Sequence, residues 1–155
     1  MPDKPLREHL IDLLTARNAH VTFDDVIDNF PSEHYSARVG SIAHTPWQLL
    51  EHMRIAQWDI LEFSRNDKHE SPAWPEGYWP GSDTPKSDSA WDESVAGFRD
   101  DLEQFVALIR DDGNDLYEAF PHGDGQTLLR EALVLAKHNS YHLGQLMMIR
   151  KAMEK

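Results

Sequence analysis

The sequence predicts an all-α fold, a four-helix bundle with a long loop between its second and third helices. Three observations point there. Four stretches repeat apolar residues at three- and four-residue steps. The segments between them carry the Pro, Gly, Asp and Asn that punctuate loops. No segment alternates apolar and polar residues over the length of a strand, and four helices of comparable length favour an up-and-down or a crossover bundle.

The first helix runs from about Pro5 to Ala19, with a Pro at its start and Leu6, Leu10, Leu13 and Leu14 on one face. A short turn or helix from Thr22 to Phe30 follows. The second helix begins at Thr45-Pro46, an N-cap hydroxyl before a Pro whose missing N–H is harmless in a first turn, and runs to about Arg65. Between Asn66 and Ser89 lies a loop with four prolines and the aromatic residues Trp74, Tyr78 and Trp79, longer than most loops in compact domains. Such a segment is either a lid over a site or a loop packed onto the bundle by its rings.

The third helix starts near Ser89 and lines up Trp91, Val95, Phe98, Leu102, Phe105, Val106 and Ile109 before ending at Asp111 to Gly113. The fourth follows the breaker Pro121-His122-Gly123-Asp124-Gly125 and runs from about Thr127 to Met153. One of its faces carries Glu131, Val134, Leu135, His138, Tyr141, His142, Gln145 and Ile149. Leu129, Leu133, Ala136, Leu143 and Met147 form a second stripe, so the helix is either central or turns its back to another subunit.

The 155 residues suit one domain, residues 1–155, with a core of its own. The absence of cysteine excludes disulfides, iron–sulfur clusters and a thiol nucleophile, so any metal must sit on nitrogen and oxygen. A formal charge of −12 argues against direct nucleic-acid binding, which depends on clustered Lys and Arg. The beginning MPDKPLREHL is charged where a secretion signal would be apolar, and no apolar run approaches the ~20 residues of a membrane span. The expectation is a cytoplasmic protein without a membrane partner.

Nine histidines are many for this length. His138 and His142 stand four apart on the fourth helix, close enough to share an ion, although in so His-rich a chain that spacing arises readily by chance. His52 shares its helix face with Leu49, Ala56, Ile60 and Phe63 and therefore also points inward. Three buried imidazoles need partners, and one shared metal would satisfy all three. The competing reading gives each its own carbonyl or a carboxylate such as Glu51, Asp59 or Glu131. Asp59, two turns from His52, and Glu131, two turns from His138, fit either a hydrogen bond to a ligand histidine or an ion pair. Gln145 fits a bond to a ligand or to metal-bound water, and Tyr141 fits packing with its hydroxyl satisfied. His9, His20, His34 and His69 read as solvated, His44 as packing or capping, and His122 as a loop histidine.

The segments EHMRIAQWDI around His52 and HNSYHLGQL around His138 and His142, with EGYWP and HGDGQTLLRE between them, resemble the DinB-like superfamily over almost the whole chain. The resemblance implies a four-helix bundle, commonly dimeric, with a divalent metal on His52, His138 and His142: nickel or zinc foremost, iron or manganese as alternatives. It also implies a low-molecular-weight thiol as a cosubstrate, since characterised members include thiol-dependent transferases and an isomerase. A three-histidine ion keeps positions open for substrate or water. The reading is an enzyme activating a thiol or water against a small-molecule electrophile, with a homodimeric, non-catalytic metal-binding or stress-response protein as the alternative.

Overall fold

The computed structural model describes residues 3–154. Five α-helices follow in order: α1 (Lys4–Thr15), α2 (Phe23–Ile27), α3 (Pro46–Arg65), α4 (Asp88–Arg110) and α5 (Leu128–Met153), with short 3-10 turns at Ser32–His34 and Glu76–Tyr78. Among the described residues there is no strand, only an isolated bridge between Ala119 and Thr127. The four long helices are those the sequence predicts, and the chain is all-α.

The helix starts follow from local chemistry. The Thr45 hydroxyl accepts from the Gln48 N–H, and the Gln48 side chain accepts from the Thr45 N–H, a reciprocal cap that fixes the first turn of α3. Thr22 and Asp25 do the same for α2, while Ser87 and Thr127 cap α4 and α5. α1 stops at Thr15 rather than Ala19. The backbone turns extended at Ala16, and the Asn18 amide bends back to donate to the Asp12 carbonyl, which removes the incentive to continue.

The long loop has a topological cause. The Ser94 hydroxyl donates to Glu51, the Gln57 amide donates to the Phe98 carbonyl, and Arg65 donates to Gln104, so partners advance together along α3 and α4. The two helices are parallel. A parallel pair needs a connection that travels back a full helix length, about 30 Å for the 20 residues of α3, and residues 66–87 supply it. The crossover form of the bundle is therefore the one adopted. α5 runs the other way: its C-terminal Leu143, Leu146 and Ile149 join Leu49, Leu50 and Met53 in one core cluster, and its N-terminal Leu128, Ala132 and Leu135 join Leu61, Phe105 and Ile109 in another.

α1 closes the second cluster through Leu10 and also caps α4. The buried Arg7 guanidinium donates to the carbonyls of Ile109, Asp111 and Asn114 at 2.7, 3.0 and 2.7 Å, satisfying groups that the end of a helix leaves open. The second stripe of α5 is accounted for mostly within the chain. Ala136 and Leu143 are buried, Leu129 and Met147 are half-buried against the two clusters, and Leu133 alone is exposed. α5 is the central helix, which is why both of its sides are apolar.

Candidate metal centre

The antiparallel contact of α3 with α5 brings His52 against His138 and His142, one helical turn apart on α5. The ring centroids lie 4.8 Å (His52–His138), 4.6 Å (His52–His142) and 4.5 Å (His138–His142) apart. One nitrogen from each ring falls within 4.8 Å of the others. His52 and His142 are buried and His138 is half-buried.

Hydrogen bonds fix which nitrogen each ring offers. His52 Nδ1–H donates to the Tyr78 backbone carbonyl at 2.8 Å, and His142 Nδ1–H donates to Gln145 Oε1 at 2.7 Å. A ring that donates through Nδ1 carries its lone pair on Nε2, so both present an acceptor to the cluster. His138 Nε2 sits 3.0 Å from His52 Nε2, while its own Nδ1 is buried without a partner.

This donor set fits a divalent cation. Two nitrogens at about 2.1 Å from one ion stand at most about 4.2 Å apart; the 3.0 Å between the Nε2 atoms of His52 and His138 falls inside that limit, and the set as a whole, within 4.8 Å, reaches it with a small inward shift of the rings. Burial pushes His52 and His138 down to about 4, reinforced by the neighbouring imidazoles, while the Tyr78 carbonyl partly offsets the shift for His52. Burial also lowers His142, opposed by its bond to Gln145. All three rings are thus neutral at pH 7, the form that binds metal.

The carboxylates offered by the competing reading are engaged elsewhere. Glu51 holds Arg54 and Ser94, and Glu131 pairs with Arg130 at 2.6 Å. Glu131 is buried, which raises its carboxyl above the usual range against the opposing pull of Arg130, with the Asp59 charge adding a little to the rise. Asp59 accepts the Tyr78 hydroxyl at 2.7 Å and His69 Nε2–H at 2.8 Å. Neither Asp59 nor Glu131 bonds a cluster histidine. Gln145 takes the role anticipated for it, as a bond to a ligand ring.

The crossover loop supplies what sequence reasoning missed. Trp79 lies flat on His52, centroids 3.8 Å apart, and His44 stacks on the indole at 4.0 Å. Of the two roles open to the loop aromatics, Trp79 packs directly on the site, whereas Trp74 is 79% exposed. His69 corrects the solvated reading: its side chain is 6% exposed, because Asp59 draws it in beside the Trp58 ring. His122 Nε2–H donates to the Phe63 carbonyl, its ring between Phe63 and Phe120, and does not join the three histidines. Tyr141 also departs from expectation, being 66% exposed with its ring against His142 rather than packed in the core. His9 and His20 are exposed as anticipated, and His34 is half-buried.

No helix among the described residues is long and apolar enough to cross a membrane. Residues 16–146 match a family model described as the DinB superfamily. No curated protein and no solved structure matches the chain.

Proposed function

The chain belongs to the DinB superfamily, and from that membership and the three-histidine cluster we propose a metal-dependent enzyme that activates a thiol or water for attack on a small electrophile. The observation that carries the reading is the pairing of lone pairs with proximity: Tyr78 and Gln145 each occupy an Nδ1–H, leaving Nε2 as the acceptor of His52 and of His142 in a cluster where one nitrogen per ring lies within 4.8 Å of the others. His52, His138 and His142 would hold the ion, nickel or zinc before iron or manganese. A divalent ion there lowers the pKa of a bound water towards ~7 or holds a thiol as thiolate.

The chain's own residues have separable tasks. Tyr78 and Gln145 keep two imidazoles in the ligating tautomer. Trp79 covers one face of His52 and excludes water from it. Tyr78 OH is itself no base at neutral pH, since burial and the Asp59 carboxylate push it up to about 12. The three ligands carry no charge, so an anionic group is the natural occupant of a remaining position on the ion. A low-molecular-weight thiol fits that description, as does hydroxide. We further propose that the protein acts in the cytoplasm as a homodimer on a small-molecule substrate, without nucleic-acid or membrane partners.

The alternative is a non-catalytic metal-binding or stress-response dimer, whose ligand contacts would lie apart from the three histidines. A cleft of about 380 Å³ opens among α1, α4 and α5, walled by Leu13, Phe98, Leu102 and Leu143, with none of the three histidines on it. The deciding experiment is metal analysis of the purified protein, then thiol-conjugation and hydrolysis assays on wild type and His142→Ala. Stoichiometric metal lost in His142→Ala, with metal-dependent turnover, supports the enzyme. Wild type that stays metal-free after loading overturns the metal reading. Tight binding without turnover across a broad panel favours the alternative.

A further inference from the structure

The crossover loop touches the candidate metal centre twice in succession, through the Tyr78 carbonyl on His52 Nδ1 and through the Trp79 ring on the His52 face. Backbone carbonyls in loops are poor positioning devices unless the loop is held. Here the hold is a buried polar group reached by the same residue. The Tyr78 hydroxyl donates to Asp59 Oδ2 at 2.7 Å, and Asp59 Oδ1 accepts His69 Nε2–H at 2.8 Å. Asp59 lies on α3 two turns beyond His52, so Tyr78 spans from one to the other along the helix. His69 comes from the start of the same loop, and the Asp59 and His69 side chains are 12% and 6% exposed.

We infer that Tyr78, Asp59 and His69 form a clamp that couples docking of the 66–87 loop to metal binding at His52. With the clamp closed, the Tyr78 carbonyl fixes the His52 tautomer and Trp79 shields its ring. With it open, His52 loses both its Nδ1 acceptor and its cover, and Nε2 is no longer preset as the ligating nitrogen. The coupling is reciprocal by thermodynamic necessity: whatever the closed loop adds to metal affinity, bound metal adds to loop closure. The loop therefore regulates the site as well as bridging parallel helices. Tyr78, Asp59 and His69 are positioning residues, none of which contacts the ion.

The two core clusters draw mainly on α1 to α5, with Phe30, Tyr35 and Leu116 from the connections; the crossover loop adds Trp79 at the edge of the first, and Tyr78 belongs to neither. Removing the Tyr78 hydroxyl alone leaves the carbonyl that His52 uses, so Tyr78→Phe tests the clamp without deleting the contact it positions. The inference rests on the metal reading above, and its test separates the two.

Zinc and nickel affinities are measured by competition with a chromogenic chelator for wild type, Tyr78→Phe and Asp59→Asn, together with hydrogen exchange across residues 66–87 with and without zinc. The clamp predicts that Tyr78→Phe weakens zinc binding by up to about tenfold, the low end of the range for losing a ligand's own partner, because the carbonyl itself remains. It also predicts that zinc slows exchange in the loop of wild type and much less in Tyr78→Phe, with exchange in α4 unchanged. Asp59→Asn keeps one acceptor oxygen where the carboxylate uses two, so one of the Tyr78 and His69 bonds survives, and its affinity should fall between wild type and Tyr78→Phe. Unchanged zinc affinity in Tyr78→Phe, or loop exchange indifferent to zinc in wild type, overturns the clamp while leaving the metal site standing. Wild type that binds neither ion overturns both.

Discussion

The His52 imidazole and the Trp79 indole are parallel to within 3°, their centroids 3.8 Å apart, so one entire face of a ligand-type ring is sealed by a loop residue. Trp79→Ala opens that face to water and removes a stacked pair worth about 0.5–1.5 kcal/mol. Metal affinity should drop by up to about tenfold, and the His52 pKa should climb from about 4 back toward its ordinary 6.5 as water returns. An NMR titration of the imidazole C–H resonances in the metal-free protein reads this directly. A His52 pKa unchanged in Trp79→Ala would contradict it.

How much of this was legible beforehand depends on whether a contact lies within a helix or crosses from a loop. Helical periodicity placed His138, His142 and Gln145 on one face, and a three-residue step is what lets Gln145 reach back to His142 Nδ1. The Thr45-Pro46 start was readable because capping is local. The partner of His52 was not, because it is a backbone carbonyl 26 residues away, and any residue type carries one. His69 misled for a related reason: a loop histidine looks solvated until Asp59, ten residues earlier, is seen to face it. The parallel course of α3 and α4 does have a sequence signal, the length of the loop joining them.

Gln145→Leu keeps the size of the side chain and removes its acceptor. The His142 Nδ1–H then has no partner in a buried setting, and the ring is free to flip its tautomer and turn Nε2–H toward the ion. Metal affinity should weaken by roughly ten- to a hundredfold. Gln145→Glu keeps an acceptor and should bind at least as tightly as wild type. Calorimetric titration of the two variants against wild type checks the pair, and equal affinities in all three would refute the role.

Gly77 sits immediately before Tyr78, and a Cβ there would come within 2.7 Å of the Pro72 Cβ and 3.2 Å of its carbonyl carbon. Backbone cannot yield as a flexible side-chain tip can, so Gly77→Ala must displace the turn that carries Tyr78 and Trp79. The prediction is a loss of metal affinity of about tenfold from a substitution that touches no ligand, the size of a disturbed outer contact. Circular dichroism should show the helices intact. Wild-type affinity in Gly77→Ala would mean that the turn accommodates the methyl without moving His52.

Leu133 is 48% exposed on α5, on a side where Ala136 and Leu143 are already covered by the chain itself. Leu133→Asp should therefore leave the fold intact and, if this side of α5 joins two copies, shift sedimentation from dimer to monomer. A dimer that persists in Leu133→Asp removes Leu133 from the interface. A wild-type monomer at micromolar concentration removes the dimer.

Acid should destabilise the metal-free protein over a definite window. In the unfolded chain His52 and His138 titrate near 6.5, and in the fold burial holds them at about 4. Above pH 6.5 both states carry neutral rings, and this pair contributes no pH dependence. Between 6.5 and 4 the unfolded chain binds protons that the folded one refuses, so stability falls as pH falls, by up to about 1.4 kcal/mol per pH unit for each ring. Glu131 works in the opposite sense, since its raised carboxyl lets the fold take up a proton before the unfolded chain does. Urea unfolding at several pH values separates the two: His138→Gln should flatten the slope between pH 6.5 and 4, whereas Glu131→Gln should steepen it above pH 4.5, the ordinary carboxyl value. A His138→Gln slope equal to wild type would show that burial does not hold this imidazole neutral.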